Sequence, residues 1–220
     1  MTGAGARGAG EGAAVNAGVL PGTLALTFDD GPDPVWTSRL LAKLSDWGAR
    51  ATFFVDVRRA RAHRDLIEAM GLAGHEVAFH CVEHRRHSER SEAELAAEAE
   101  VGVEALESLG VRPTAWRAPW GIVTAATRRI AAEHGLDLWG WNVDSHDWRG
   151  DSRGEMLSAL RAAGGLPEGA VVLMHDGIGP GARRSGCAQT VELAAALLDI
   201  SRADGLRTAT VSECRHGSNR

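Results

Sequence analysis

The chain has 220 residues, enough for one α/β domain with a sizeable core and too few for two ordinary enzyme domains. With 44% hydrophobic and 24% charged residues it falls outside the disordered and collagen-like ranges. A formal net charge of -5, with Lys43 the one lysine, argues against a protein that tracks nucleic-acid phosphates.

Residues 1–22 are rich in Gly and Ala and are expected to form a flexible lead. They lack a basic start, and Glu11 and Asn16 interrupt any apolar run, so this stretch does not read as a secretory signal and a cytoplasmic location is expected. No apolar run is long enough to cross a bilayer. From Thr23 to residue 212 short apolar runs alternate with helical patterns. Candidate strands are 24–28, 51–55, 76–79, 114–117, 136–143, 170–174 and 206–211. Between them, a helix from Trp36 to Trp47 should end at Gly48, Ser91 and Glu94 form a capping box for a helix starting near Glu92, and further helices cover 124–134 and 190–202. Strands alternating with helices imply βαβ units and a parallel sheet of about seven strands. A polar tail, 213–220, follows, and its Cys214 and His216 receive no role. Cys81, Cys187 and Cys214 are too irregularly spaced for a disulfide framework.

Ionisable residues collect at the C-terminal ends of these strands: Asp29 and Asp30, His80 and His84, Arg117, Asp144, and His175 with Asp176. In a parallel barrel those ends share one face, where distant segments can build one site. His80 and His84 can grip a single ion from one turn or tight loop, and a carboxylate from Asp29-Asp30 completes a set of three ligands with an open position. Neighbouring residues of an extended segment point to opposite sides, so one of that carboxylate pair can face the ion and the other the attacking water. Each signal has a plainer reading when taken alone. A His pair suits a charged surface, with His87 as a decoy, and Asp-Asp-Gly-Pro suits a turn.

Together, Thr27-Phe28-Asp29-Asp30-Gly31-Pro32, Gly74-His75-Glu76-Val77 leading to His80-Cys81-Val82-Glu83-His84, Arg117-Ala118-Pro119-Trp120-Gly121, Asp144-Ser145-His146-Asp147-Trp148 and Leu173-Met174-His175-Asp176 resemble the five ordered motifs of the polysaccharide deacetylase (NodB homology) family, carbohydrate esterase family four. The resemblance implies a distorted (β/α)7 barrel and metal-dependent hydrolysis that removes acetyl groups from N-acetylated sugars. It implies that Asp30, His80 and His84 hold a divalent ion, zinc being expected and cobalt, nickel and manganese the alternatives. Asp29 matches the general base, Arg117 the residue that orients it, His175 the general acid, and Asp144 the carboxylate that tunes the acid. Trp120 stands where the family has Tyr or Phe beside the oxyanion donor, a substitution in keeping with a chain that has seven Trp and no Tyr. Trp148 is a candidate sugar platform, whereas at least one of Trp139 and Trp141 should be core.

Cys81 replaces the usual Ser or Thr of the second motif, which puts metal affinity in question, and a small buried residue is its expected role. Arg58, Arg59, Arg61, Arg64, Arg183 and Arg184 should border the pocket mouth, as solvated surface or as recognition of a substrate anion. The expected substrate is an N-acetylated sugar, oligosaccharide or small intracellular amide. The alternatives are a peptidoglycan or chitin polymer, an acetyl-xylan-type ester, and a non-catalytic carbohydrate-binding relative. No nucleic-acid or membrane partner is expected.

Overall fold

In the computed structural model, which describes residues 20–216, the period-two pattern of the strands decides which side chains meet the helices and which meet each other. The strands are β1 (Thr23–Asp29), β2 (Thr52–Asp56), β3 (Glu76–Cys81), β4 (Ala115–Trp116), β5 (Asp137–Leu138), β6 (Val143–Asp144), β7 (Ala170–His175) and β8 (Arg207–Thr208). Seven lie in the order β5-β4-β3-β2-β1-β7-β6, and β8 pairs with the start of β1. Every pairing is parallel. The sheet curls into a distorted half-barrel.

Leu24, Leu26 and Phe28 of β1, Phe53 and Val55 of β2, Val77 and Phe79 of β3, and Val172 and Met174 of β7 face outward into one large core. That core is shared with α1 (Trp36–Asp46), α2 (Val57–Ala62), α3 (Arg64–Leu72), α4 (Glu92–Glu107), α5 (Ala125–Glu133), α6 (Arg153–Ala162) and α7 (Ala188–Ala203). The alternate positions Ala25, Phe54, Ala78, Ala115 and Val171 pack with Trp139 in a second cluster. This cluster fills the concave side of the sheet. Alanines on three strands leave room there for one phenyl and one indole.

Most expected elements appear where the sequence puts them. Gly48, at φ 61°, follows the α1 cap residue Trp47, and both halves of the Ser91–Glu94 capping box are made. Two expectations fail. The single strand expected over 136–143 is two strands at opposite ends of the sheet. The Trp139 amide, just past β5, still bonds the Trp116 carbonyl of β4, whereas the Asn142 amide already bonds the Val171 carbonyl of β7. Gly140 lies in the crossing between them, so a continuous apolar run hides a change of partner. The strand expected over 206–211 is the short β8, and α8 (Val211–His216) then runs past the expected domain boundary at residue 212. The expected flexible lead lies outside the described residues except for 20–22, as do the last four residues of the expected tail.

Candidate active site

β1 ends in a turn that separates its two acidic residues. Asp29 is the last strand residue and Asp30 takes the left-handed conformation, φ 70°. Glycines make room for it. A Cβ at Gly179 would fall 2.0 Å from Asp30 Oδ2, and one at Gly31 would fall 2.1 Å from a carboxylate oxygen of Asp176. Asp176 itself is buried and accepts the Thr37 hydroxyl at 2.5 Å, and burial pushes its carboxyl up to about 7. His80 comes from the end of β3 and His84 from the loop beyond it. Their Nε2 atoms lie 3.4 and 3.3 Å from Asp30 Oδ1.

These three residues form a candidate metal centre, with one ligand atom from each lying within 4.8 Å of the others. The chemistry of the set fits a divalent ion. His80 Nδ1 donates to the Arg117 carbonyl at 2.7 Å, which leaves the Nε2 lone pair aimed inward, buried and without a hydrogen-bond partner. Burial opposes the charge on Asp30, but the neighbouring imidazoles of His80, His175 and His84 hold its carboxyl well below the usual range. Two imidazole nitrogens and one carboxylate suit zinc and several other first-row divalent ions. Cys81 stays outside the set. It is fully buried, and burial, with the charge of Asp56, pushes its thiol well above the ordinary value.

Asp29 and His175 are register partners on neighbouring strands, so their side chains stand together at the same end of the sheet. Arg117, wholly buried at the end of β4, donates at 2.8 Å to Asp29 Oδ1 and at 2.8 Å to the Thr27 hydroxyl. The carboxylate that serves His175 is Asp147, which corrects the expectation for Asp144. Asp147 Oδ1 lies 2.8 Å from His175 Nδ1, and Oδ2 accepts the His175 amide at 2.9 Å and the Thr190 hydroxyl at 2.7 Å. Burial disfavours the imidazolium, but Asp147, Asp29 and Asp30 outweigh it and push His175 up to about 9. Asp144 instead accepts the His146 amide at 2.8 Å and faces the same cavity from its wall. The two aspartates share one motif, and spacing alone does not tell them apart.

The family profile described as polysaccharide deacetylase matches residues 18–139, more than half of the chain. The chain belongs to the polysaccharide deacetylase family. Among its relatives, a peptidoglycan-N-acetylglucosamine deacetylase of Bacillus cereus is 33% identical over 192 residues, covering 86% of each chain. A chitooligosaccharide deacetylase of a Bradyrhizobium species is 37% identical over 174 residues, 77% of this chain and 78% of that protein. A family 4 carbohydrate esterase from Streptomyces lividans, solved in complex with acetate, superposes with a TM-score of 0.76 at 30% identity, over 89% of this chain and 95% of that one.

In this deacetylase a cavity of about 370 Å³ joins Asp29, Asp30, His80, His84, Asp144 and His175, with Trp120, Trp141 and Trp148 as aromatic walls and Leu173 beside His175. Trp120, at φ 54°, is 39% exposed, and its ring meets His84 edge-on at 4.2 Å. Trp139 is core, as expected for one of that pair, and Trp141 reaches the cavity.

Arg184 belongs to the interior rather than to the mouth. It pairs with Asp147 Oδ2 at 3.1 Å and donates to the His175 carbonyl at 3.0 Å. Arg58 is exposed and pairs with Glu83, and Arg59 donates to the Ile178 carbonyl. His87 is a satisfied core histidine, bonded to the Thr127 hydroxyl and pushed down to about 4 by burial. Thr27, Asp147 and Thr190 received no role in the sequence reading, and Arg184 was expected only at the mouth. Thr27 and Asp147 both lie within motifs quoted for the resemblance, whereas Thr190 lies in none.

Proposed function

We propose that this deacetylase removes the acetyl group from N-acetylglucosamine units of peptidoglycan or chitooligosaccharides. The observation that carries the reading is the placement of the Asp30–His80–His84 ligand set in one cavity with Asp29 and His175, a candidate base and a candidate acid held by separate partners. The names of the Bacillus and Bradyrhizobium relatives support the glycan substrate over the small intracellular amide that the N-terminal composition favoured.

Asp30, His80 and His84 would hold a divalent ion, which when bound polarises the amide carbonyl and acidifies water. Asp29 accepts the proton of the attacking water, while the Arg117 guanidinium fixes the direction of its carboxylate. His175, charged and oriented by Asp147, gives its proton to the amide nitrogen as the C–N bond breaks, so that acetate and a free amine leave. Trp120 and Trp148 offer apolar faces for sugar rings, and the main-chain amide at Trp120 is the candidate oxyanion donor.

The test is acetate release from N-acetylglucosamine oligomers of graded length and from purified peptidoglycan, with metal content measured on the same samples. Asp29→Asn is expected to keep its metal and lose activity by 100-fold or more, on the order of a general-base contribution. His80→Ala is expected to lose both. No acetate from either glycan, or full activity in Asp29→Asn, would overturn the proposal.

A further inference from the structure

The loop that carries His84 has no hydrogen-bonded ladder of its own, because β3 ends at Cys81. Its amides are nonetheless taken up. Glu98, on α4 and only 6% exposed, accepts the Val82 amide at 2.9 Å and the Glu83 amide at 3.1 Å through one oxygen, Oε1. The other oxygen, Oε2, is paired with the guanidinium of Arg90, itself nearly buried just before α4. Carboxylates are rarely buried in protein interiors, and this one is bound by two backbone donors and one cation. It touches neither the cavity lining nor the three ligand atoms.

We infer that Glu98 is a positioning residue for the metal centre, clamping residues 82–83 so that His84 Nε2 is held toward Asp30 before any ion arrives. Two amides converging on one anionic oxygen fix the direction in which the chain leaves β3. His84 has little else to fix it within the loop, since its Nδ1 is buried with no hydrogen-bond partner and its ring leans on Trp120. His80, by contrast, is held by the strand and by the Arg117 carbonyl. Of the two imidazoles, His84 therefore depends on a support outside its own strand. The inference rests on the metal reading of the site and adds to it a residue some distance along the chain from every motif. Outer supports of this kind typically change metal affinity by about 10- to 100-fold.

The experiment compares Glu98→Gln and Glu98→Ala with the parent chain and with Leu95→Ala, a buried α4 position in the hydrophobic core. Zinc affinity is measured by competition with a chelator, and thermal unfolding is recorded with and without zinc. Binding to the folded form raises Tm in proportion to the logarithm of the bound-to-free ratio, so a weakened site gives a smaller zinc-induced shift.

Glu98→Gln and Glu98→Ala are expected to bind zinc about 10- to 100-fold more weakly and to show a reduced shift, with Glu98→Gln regaining activity in excess zinc. Leu95→Ala should lower Tm in both states and keep the shift. If both Glu98 variants bind zinc within twofold of the parent, or Leu95→Ala loses the shift equally, the inference is wrong and Glu98 serves the helix alone. A parent chain that binds no divalent ion would instead overturn the metal reading itself.

Discussion

Between Asp144 and Asp147 the chain passes through His146 at φ 58°, with the His146 amide folded back onto Asp144 Oδ1. This turn carries Asp147 inward beneath β7, where it meets His175, Thr190 and Arg184, and leaves Asp144 on the cavity wall. The sequence shows two aspartates three residues apart in one motif, but which of them turns inward depends on that single left-handed residue. The consequence is a pH dependence. In the proposed mechanism His175 donates in its charged form; burial alone would favour the neutral ring, so that form persists at alkaline pH because Asp147 holds it.

With a folded pKa raised to about 9, the donor is present below that pH and lost above it. Asp147→Asn removes the nearest countercharge, so the alkaline limb of kcat/KM should move down by about 1–3 pH units. A rate profile from pH 6 to 10, with metal saturating, reads this directly. A limb that stays in place would mean that His175 is not the group whose proton limits the reaction.

The helix-to-strand contacts explain why some elements were plain in the sequence and others were not. The runs in β1, β2 and β7 are long, apolar and fully covered, so their composition identifies them without any knowledge of the neighbours. The stretch over 136–143 has the same composition, but its two ends bond to different strands, a fact held in partners such as Trp116 and Val171 rather than in the stretch itself. α4 shows the same dependence. Gly102 lies in the middle of that helix, where alanine would ordinarily be better by about 1 kcal/mol. An added Cβ would come 2.4 Å from the Phe79 ring of β3, and Phe79 is locked in turn against Trp116 by stacked rings.

Gly102→Ala should therefore destabilise the protein despite its better helix propensity, because overpacking costs about 1–3 kcal/mol in a ring pair with no free side. Net of the propensity gain, up to about 2 kcal/mol remains, a fall in Tm of up to about 8 °C. Thermal unfolding of the two proteins at one pH and one metal concentration checks it. A Tm equal to or above that of the parent would show that the Phe79–Trp116 stack yields and that the spacing of α4 is not set there.

At the scale of the whole molecule the barrel is incomplete, since among the described residues no strand pairing joins β5 to β6. Arg117 ties the crossing between them to β1 from the concave side. Its Nη2 donates to the Gly140 carbonyl at 2.8 Å and its Nε to Trp139 at 3.4 Å, both in the crossing, while Nη1 reaches Thr27 and Asp29 on β1, each at 2.8 Å. The guanidinium also lies 4.1 Å above the Phe54 ring. One side chain thus ties the crossing to β1 and to the candidate base.

Lysine keeps the charge but offers three donors at a point in place of a planar fork of five, and it cannot reach β1 and the crossing together. Arg117→Lys should strand buried carbonyls and the buried Asp29 carboxylate, lowering stability by about 3–5 kcal/mol and activity by more than tenfold. Urea unfolding and acetate release on the same preparation separate the two effects. Lost activity with unchanged stability would confine Arg117 to orienting Asp29. A loss of both, with the far-ultraviolet dichroism preserved below the transition, is the result expected if the residue that orients the candidate base also ties the crossing to β1.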